Sequence, residues 1–414
     1  MEKPRFSYGY LIVAACFGIQ AISVGTHVAF GIFFKPLLVD FGWPRATLSG
    51  AHSMAFFMSG LLAIFVGRMN DRLGPRVVMT VTGFLLGLGL LFMSRLSAVW
   101  QIYLFYGILF GMGLSSADVI ALSTTARWFV RRRGIMTGIV KVGSGAGQVL
   151  IPLAASMLIA RFGWRTSYLI IGAFVMLALI VIAQVLRRDP SHMGLLPDGD
   201  RRTETSGLSI TERGVSLREA IRGRPFWTIC LGNLAVVSCL MVIMLHIVPH
   251  TTDLGLSSTT AATILAAIGG ISMAGRLGIG IAIDRIGTKA CIFVCFILFL
   301  SAFLWIQLAK EGWMLILFAM VYGFGHGGYF TLISPLVAEH FGIRSHGVLF
   351  GIVLFAGTVG GGIGPVLAGH IFDVTGSYRP AFWICTVAST LGFALLLSLR
   401  RKIPDREVPF DTSG

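Results

Sequence analysis

Charge is scarce in this chain. Only 12% of its 414 residues are Asp, Glu, Lys or Arg, where soluble globular chains carry about 25%. So little polar surface cannot coat a water-soluble body of this length, which excludes a soluble enzyme or binding domain. Cysteine is sparse as well. The six (Cys16, Cys230, Cys239, Cys291, Cys295, Cys385) all stand in apolar runs. None has zinc-ligand spacing with histidine, which excludes a disulfide framework or a structural zinc site and leaves buried free thiols. No nucleophile–base set and no metal cluster is visible, so the chain reads as no enzyme, with no cofactor and no metal. The glycine runs 143–147 and 357–364 lack the Lys-Ser/Thr that would complete a phosphate loop, and they read as close helix packing.

Apolar runs are abundant. Hydrophobic residues make up 55% of the chain, in stretches long enough to cross a hydrocarbon core of about 30 Å. The pattern predicts an all-α membrane protein with twelve spans, near 9–34, 47–69, 77–97, 100–126, 134–160, 166–187, 226–249, 258–284, 288–308, 312–339, 346–372 and 379–399. The first run is too long for a signal peptide and reads as a retained span. The polar stretch 188–224 reads as a linker between an amino-terminal bundle (1–187) and a carboxy-terminal bundle (225–400), followed by a tail (401–414). Within it, 216–221 suits a short amphipathic surface helix.

The net charge of +15 suggests nucleic acid at first sight, but the basic residues fall where membrane topology puts them. With the amino terminus inside, 24 of the 33 Lys and Arg lie in inner loops and tails and 7 outside. The positive-inside rule then places both termini in the cytoplasm of a multi-pass protein of the cell inner membrane, with no nucleic-acid partner. The two bases left over, Lys141 and Arg276, lie inside spans.

The chain also repeats itself. Gly67-Arg68-Met69-Asn70-Asp71-Arg72-Leu73-Gly74-Pro75-Arg76 and Gly280-Ile281-Ala282-Ile283-Asp284-Arg285-Ile286-Gly287-Thr288-Lys289 share the pattern G-x-x-x-D-R-x-G-x-[RK] at an offset of 213 residues. The same offset relates Gly138 to Gly351, Gly147 to Gly360, Pro152 to Pro365 and Gly163 to Gly376. A constant offset over so much chain means an internal duplication and predicts two six-helix bundles related by a pseudo-two-fold axis. Asp71, Arg72, Asp284 and Arg285 lie at inner helix junctions, where they suit a gate.

Three ionisable residues break the repeat. Arg276, Lys141 and Asp118 have Ala63, Leu354 and Thr331 as partners by offset. Each lies about 10–13 Å inside its span at 1.5 Å per residue. A charge at that depth is costly and marks a functional position by default. Two structural alternatives stay open: a static Asp118–Lys141 pair, and a bond from Arg276 to a backbone carbonyl or helix end. His27, His326 and Tyr329 join the candidate substrate-binding set, since an imidazole can carry a coupling proton near neutral pH. His246 and His250 read as interfacial.

The duplicated motif, the twelve spans and the central linker resemble the major facilitator superfamily. That resemblance implies two bundles rocking around a central cavity. A narrower one rests on 126–138 (Ala126-Arg127-Trp128-Phe129-Val130-Arg131-Arg132-Arg133-Gly134 and onward), on Gly143 to Gly147, on Phe162-Gly163-Trp164-Arg165, on Phe30-Gly31-Ile32-Phe33-Phe34 and Phe41-Gly42-Trp43, and on Gly323-Phe324-Gly325. These are similar to the bacterial-type monocarboxylate transporter family. The family's arginine in span 8 matches Arg276, its aspartate four residues earlier is Ser272 here, and its span-1 lysine falls at Val28, beside His27. The resemblance implies a secondary transporter for small monocarboxylates in the lipid bilayer, coupled to protons and working as a monomeric unit by alternating access. Arg276 would bind the carboxylate as a fork. Two other functions remain: an exporter of hydrophobic metabolites or drugs in which Arg276 is structural, and a transport-inactive sensor, which the short linker and tail disfavour.

Overall fold

A computed structural model describes residues 8–199 and 214–399. Residues 200–213 of the expected linker and the expected tail 401–414 lie outside them. The spans are α1 (Tyr8–Phe41), α2 (Arg45–Leu73), α3 (Pro75–Met93), α4 (Val99–Trp128), α5 and α6 (the two arms of Arg133–Val185), α7 (Arg224–Asp253), α8 (Ser258–Ile286), α9 (Thr288–Ile306), α10 (Gly312–Phe341), α11 (His346–Thr375) and α12 (Arg379–Ser398). Helix is the obligatory choice here, because no water reaches the hydrocarbon to pair an open backbone. The fifth and sixth spans are joined without a loop. The chain reverses at Gly163, whose φ of 75° and ψ of 166° leave the helical region.

The helices assemble as two six-helix bundles, and the duplication is visible in backbone geometry. Gly74 ends α2 at φ 84°, ψ 164°, and its repeat partner Gly287 ends α8 at φ 84°, ψ 161°. A left-handed residue between two helices is open to glycine at no steric cost. Close packing repeats as well. A Cβ on Gly147 would run into the carbonyl oxygen of Ala21, and one on Gly360 into that of Leu234. These four residues are two equivalent pairs, α5 on α1 and α11 on α7. Outward faces are apolar, with Phe65, Leu150, Met157, Val181, Leu245, Val366 and Val374 at 60–72% exposure, as a lipid-facing surface requires. All six cysteines are buried and free.

Between the bundles, Leu217–Arg222 forms a short helix. It is opened by Ser216, whose hydroxyl accepts from the Glu219 amide (3.3 Å) while the Glu219 carboxylate accepts from the Ser216 amide (2.7 Å). This capping box satisfies amides that the first turn would leave unpaired.

Two histidines near the end of α7, expected at the membrane interface, are held by partners within the protein. His250, in the last turn, is 8% exposed and packs edge-on against Phe382. His246 bonds the Tyr378 hydroxyl at 3.1 Å and the Pro365 carbonyl at 3.0 Å. The imidazole of His246 on α7 thus ties to a carbonyl of α11 and to the hydroxyl just before α12.

The packing predicts an order of tolerance. Gly147→Ala places a methyl against a fixed carbonyl and should cost about 1–3 kcal/mol. Gly163→Ala meets only backbone strain, at about 1–3 kcal/mol for a conformation kept almost wholly to glycine, because nothing lies within 4 Å of its Cβ position. Gly147→Val should be worse than either. Unfolding midpoints in detergent check this, and Gly163→Ala proving more damaging than Gly147→Val would contradict the packing account.

Candidate functional site

The two bundles meet through a pair of equivalent contacts at the end where α2, α8 and α4 finish, the clasp side. Asp71 on α2 accepts from the backbone amides of Gly347 (3.2 Å) and Val348 (3.0 Å) at the start of α11. Asp284 on α8 accepts from the amides of Gly134 (2.7 Å) and Ile135 (2.9 Å) at the start of α5. The donors are repeat partners, as are the acceptors. Each helix start presents amides with no intrahelical partner and the positive end of its dipole, so a carboxylate is the natural cap. Each carboxylate here comes from the opposite bundle.

Asp71 has a further partner. Arg127, 2% exposed, donates to it from Nη2 at 2.6 Å, while its Nη1 lies 4.0 Å from Asp189. In the sequence Arg127 enters the inner basic count and the 126–138 motif, and neither gives it a role at the clasp. The side chains of Arg72 and Arg285 are exposed and make no ion pair among those the structure records.

Just above the clasps, α5 lies close against α8. A Cβ on Gly138 would sit 2.5 Å from the Arg276 carbonyl oxygen, and one on Gly351 would sit 2.5 Å from that of Ala63. The backbones of Arg276 and Ala63 are therefore equivalent, and only the side chains differ. Arg276 is 5% exposed and donates from Nη1 to the Lys141 carbonyl at 3.1 Å, while its Nε finds no partner.

Lys141 Nζ donates to Asp118 Oδ1 at 2.7 Å, so the Asp118–Lys141 pair exists. Gln20 of α1 donates to the same oxygen at 2.8 Å and to the Ala117 carbonyl at 2.9 Å. The Asp118 side chain keeps 34% of its surface open, against 8% for Lys141. Asp118 also interacts with the Arg276 charge. His326, 8% exposed on α10, lies within the fields of Arg276 and Lys141, and neither ring nitrogen has a hydrogen-bond partner. Phe330, one turn on, lies 6.0 Å from Lys141 Nζ and 5.1 Å from the His326 ring. Five elements thus converge on one polar cluster: Gln20 (α1), Asp118 (α4), Lys141 (α5), Arg276 (α8) and His326 (α10). Arg276 and Lys141 carry two positive charges against one on Asp118, so the cluster holds one cation in excess.

Two candidates lie elsewhere. Tyr329 is fully buried among Phe299, Phe330 and Phe393, and its hydroxyl donates to Asn233 at 3.0 Å, inside the carboxy-terminal bundle. His27 stacks on His52 at 4.3 Å, with Tyr106 and Phe110 beside it. The helix that brings these rings together, α4, winds as a π-helix over Tyr103–Phe110, a local widening often found at functional sites. Ser272, in the place of the family's aspartate, spends its hydroxyl on the Gly269 carbonyl at 2.7 Å.

A model of the Major Facilitator Superfamily matches residues 13–281 and 247–413. The chain belongs to this superfamily. Among its relatives, monocarboxylate transporter 12 of Rattus norvegicus is 26% identical over 99% of this chain and 89% of its own. Monocarboxylate transporter 11 of Mus musculus is 27% identical over 97% and 89%. The solved proton:xylose symporter XylE superposes with a TM-score of 0.74 at 14% identity, covering 94% of this chain and 95% of its own. FucP in the outward conformation gives 0.73 at 15% identity, over 94% and 99%. These structures show the fold. The facilitator is a multi-pass membrane transporter and not an enzyme, similar throughout its length to monocarboxylate transporters.

The ion pair makes a quantitative prediction. Asp118→Asn leaves Lys141 unmatched, and Lys141→Met leaves Asp118 unmatched. Each should cost about 1–3 kcal/mol, below the range for a fully buried pair because Asp118 is partly open. The double variant should be milder than the sum of the singles by about 1 kcal/mol or more. Unfolding midpoints of the four proteins test this, and simple additivity would contradict the contact.

Proposed function

We propose that this facilitator is a secondary active transporter of small monocarboxylates, moved with protons by alternating access, and that Arg276 anchors the carboxylate. The single observation that carries the reading is the excess cation of the central cluster, at a backbone position where the duplicate has Ala63. The fold needs no charge there. A buried guanidinium is expensive unless something negative meets it, and Asp118 is already engaged by Lys141 and Gln20. An anionic cargo completes the balance, and a guanidinium grips a carboxylate by two parallel bonds. Phe330 and the surrounding small residues suit a short apolar tail.

In this reading Asp118 and Lys141 set the charge and shape of the site, and His326 is the titratable group closest to the cargo. Asp71 and Asp284 gate the clasp side, with Arg127 steadying Asp71. Breaking both clasps while opposite contacts form would alternate access. The unit is a monomer in the cell inner membrane with both termini cytoplasmic, as the positive-inside count favours. The bundles correspond to 1–187 and 225–400, joined by 188–224.

A second reading keeps one specific support. The bond from Arg276 to the Lys141 carbonyl ties α8 to α5, as a purely structural arginine would, and would suit an exporter of uncharged hydrophobic molecules.

The two readings part in proteoliposomes. With an inward proton gradient, wild type should accumulate a short monocarboxylate from a labelled panel. Arg276→Gln should abolish that uptake while inserting normally. Arg276→Lys should bind worse by roughly 30-fold or more, from the loss of about 2–5 kcal/mol on truncating a buried charge contact. Near-normal uptake by Arg276→Gln would reject the anchor and favour the structural reading.

A further inference from the structure

The helices that receive the clasps do not cap themselves. Arg132 before α5 and Ser345 before α11 make no side-chain cap bond. The linker touches the loop in front of both. Asp198 accepts from the amides of Val130 (3.0 Å), Arg131 (2.9 Å) and Arg132 (3.2 Å). With Gly134 and Ile135 bound to Asp284, five of the six amides from 130 to 135 are held by two carboxylates from different parts of the chain. Asp198 holds its place in a left-handed conformation, φ 64°, the one such non-glycine residue among those described. Asp tolerates this better than most residues. Further along the linker, the Val215 amide donates to the Phe341 carbonyl at 3.0 Å, and Gly214 pairs with Gly342 as an antiparallel bridge. That loop leads directly into α11, which receives Asp71.

We propose that the linker is a working part of the clasps and that Asp198 is a positioning residue, fixing the row of amides on which Asp284 lands. Loose, the 129–133 turn would have to be ordered each time the clasp closed. Three bonds from one carboxylate order it beforehand, so less conformational entropy is lost when Asp284 arrives. Asp198 also lies within electrostatic reach of Asp284, and two like charges on one amide row weaken each other. The same residue therefore prepares the clasp and keeps it releasable. The carboxylate has two separable effects: its oxygens order the turn, and its charge opposes the clasp. On the α11 side the Val215 amide and the Gly214–Gly342 bridge hold the receiving loop by backbone pairing alone, with no added charge.

The inference rests on the gating role of the clasps and not on the cargo, so its test uses no substrate. The full chain is placed in lipid nanodiscs with cysteines introduced at Leu73 and Ile286. Both are more than half exposed at the ends of α2 and α8, and the six native cysteines are buried. Distances between spin labels at the two sites report separation of the bundles on the clasp side. Asp198→Ala should raise the ratio of open to closed populations roughly threefold or more, the loss of about one net hydrogen bond. Asp284→Asn should raise it too, and the combined variant should go no further than Asp284→Asn alone. Asp198→Asn keeps one oxygen for the Val130 and Arg131 amides, loses the bond from Arg132 and drops the opposing charge, so it should open less than Asp198→Ala. Four results would each overturn the proposal: unchanged distances in Asp198→Ala, effects that multiply in the combined variant, Asp198→Asn opening as far as Asp198→Ala, or a lowered unfolding midpoint with no shift in the distances.

Discussion

A charge buried in a membrane protein must be met by another charge, by oriented dipoles, or by its cargo. That requirement governs both working regions of this transporter. On the clasp side the half-buried Asp71 and the more exposed Asp284 are met by amides at the starts of α11 and α5, each from the opposite bundle. In the centre Lys141 is met by Asp118, and Asp118 in turn by Gln20. Arg276 is met only in part, by one carbonyl and by the charge of an Asp118 already bonded to Lys141, with its Nε left over. The site is therefore short of one negative charge, and the tight packing of α5 on α8 leaves the guanidinium no escape to water.

The duplication divides the labour. Wherever the two halves agree, as in the turns at Gly74 and Gly287, the glycine contacts of α5 and α11 and the paired clasps, the structure supplies a symmetric frame. Wherever they disagree, as at Arg276 against Ala63, Lys141 against Leu354 and Asp118 against Thr331, it supplies the ionisable groups of the central cluster. In the proposed mechanism, symmetry at the clasp side would let both contacts break together, and asymmetry in the centre would let one cargo bind in one orientation. Arg276 sits about 12 Å from Asp284 along α8, so a change in charge at the first is two to three turns from the clasp at the second.

Some of this was legible in the sequence. The repeat offset located Asp71 and Asp284, and the breaks in the repeat located Asp118, Lys141 and Arg276, because an ionisable residue in an apolar run stands out. Other parts were hidden for identifiable reasons. Gln20 is uncharged, and nothing in α1 separates it from any polar residue tolerated in a span. Arg127 was masked by company: it closes α4 beside Arg131, Arg132 and Arg133, and topology alone accounts for such a group. Tyr329 and His27 were reasonable candidates by type, but which face of a helix turns to the centre depends on packing, and theirs turn to Asn233 and His52. Asp198 lay in a polar linker, where one acid among many charges carries no signal until the fold brings it to a row of amides.

The central claim is that the site lacks one negative charge and takes it from the ligand. Comparing acids with their amides on purified protein tests this most directly. Propionate and propionamide, or lactate and lactamide, have nearly the same shape and differ by the charge. Thermal stabilisation of the wild-type protein across a concentration series should appear with the acids of a short-chain panel and be absent, or at least tenfold weaker in apparent affinity, with the matching amides. Amides that stabilise as well as their acids would show that the site recognises shape without charge, and the account built on Arg276 would fail.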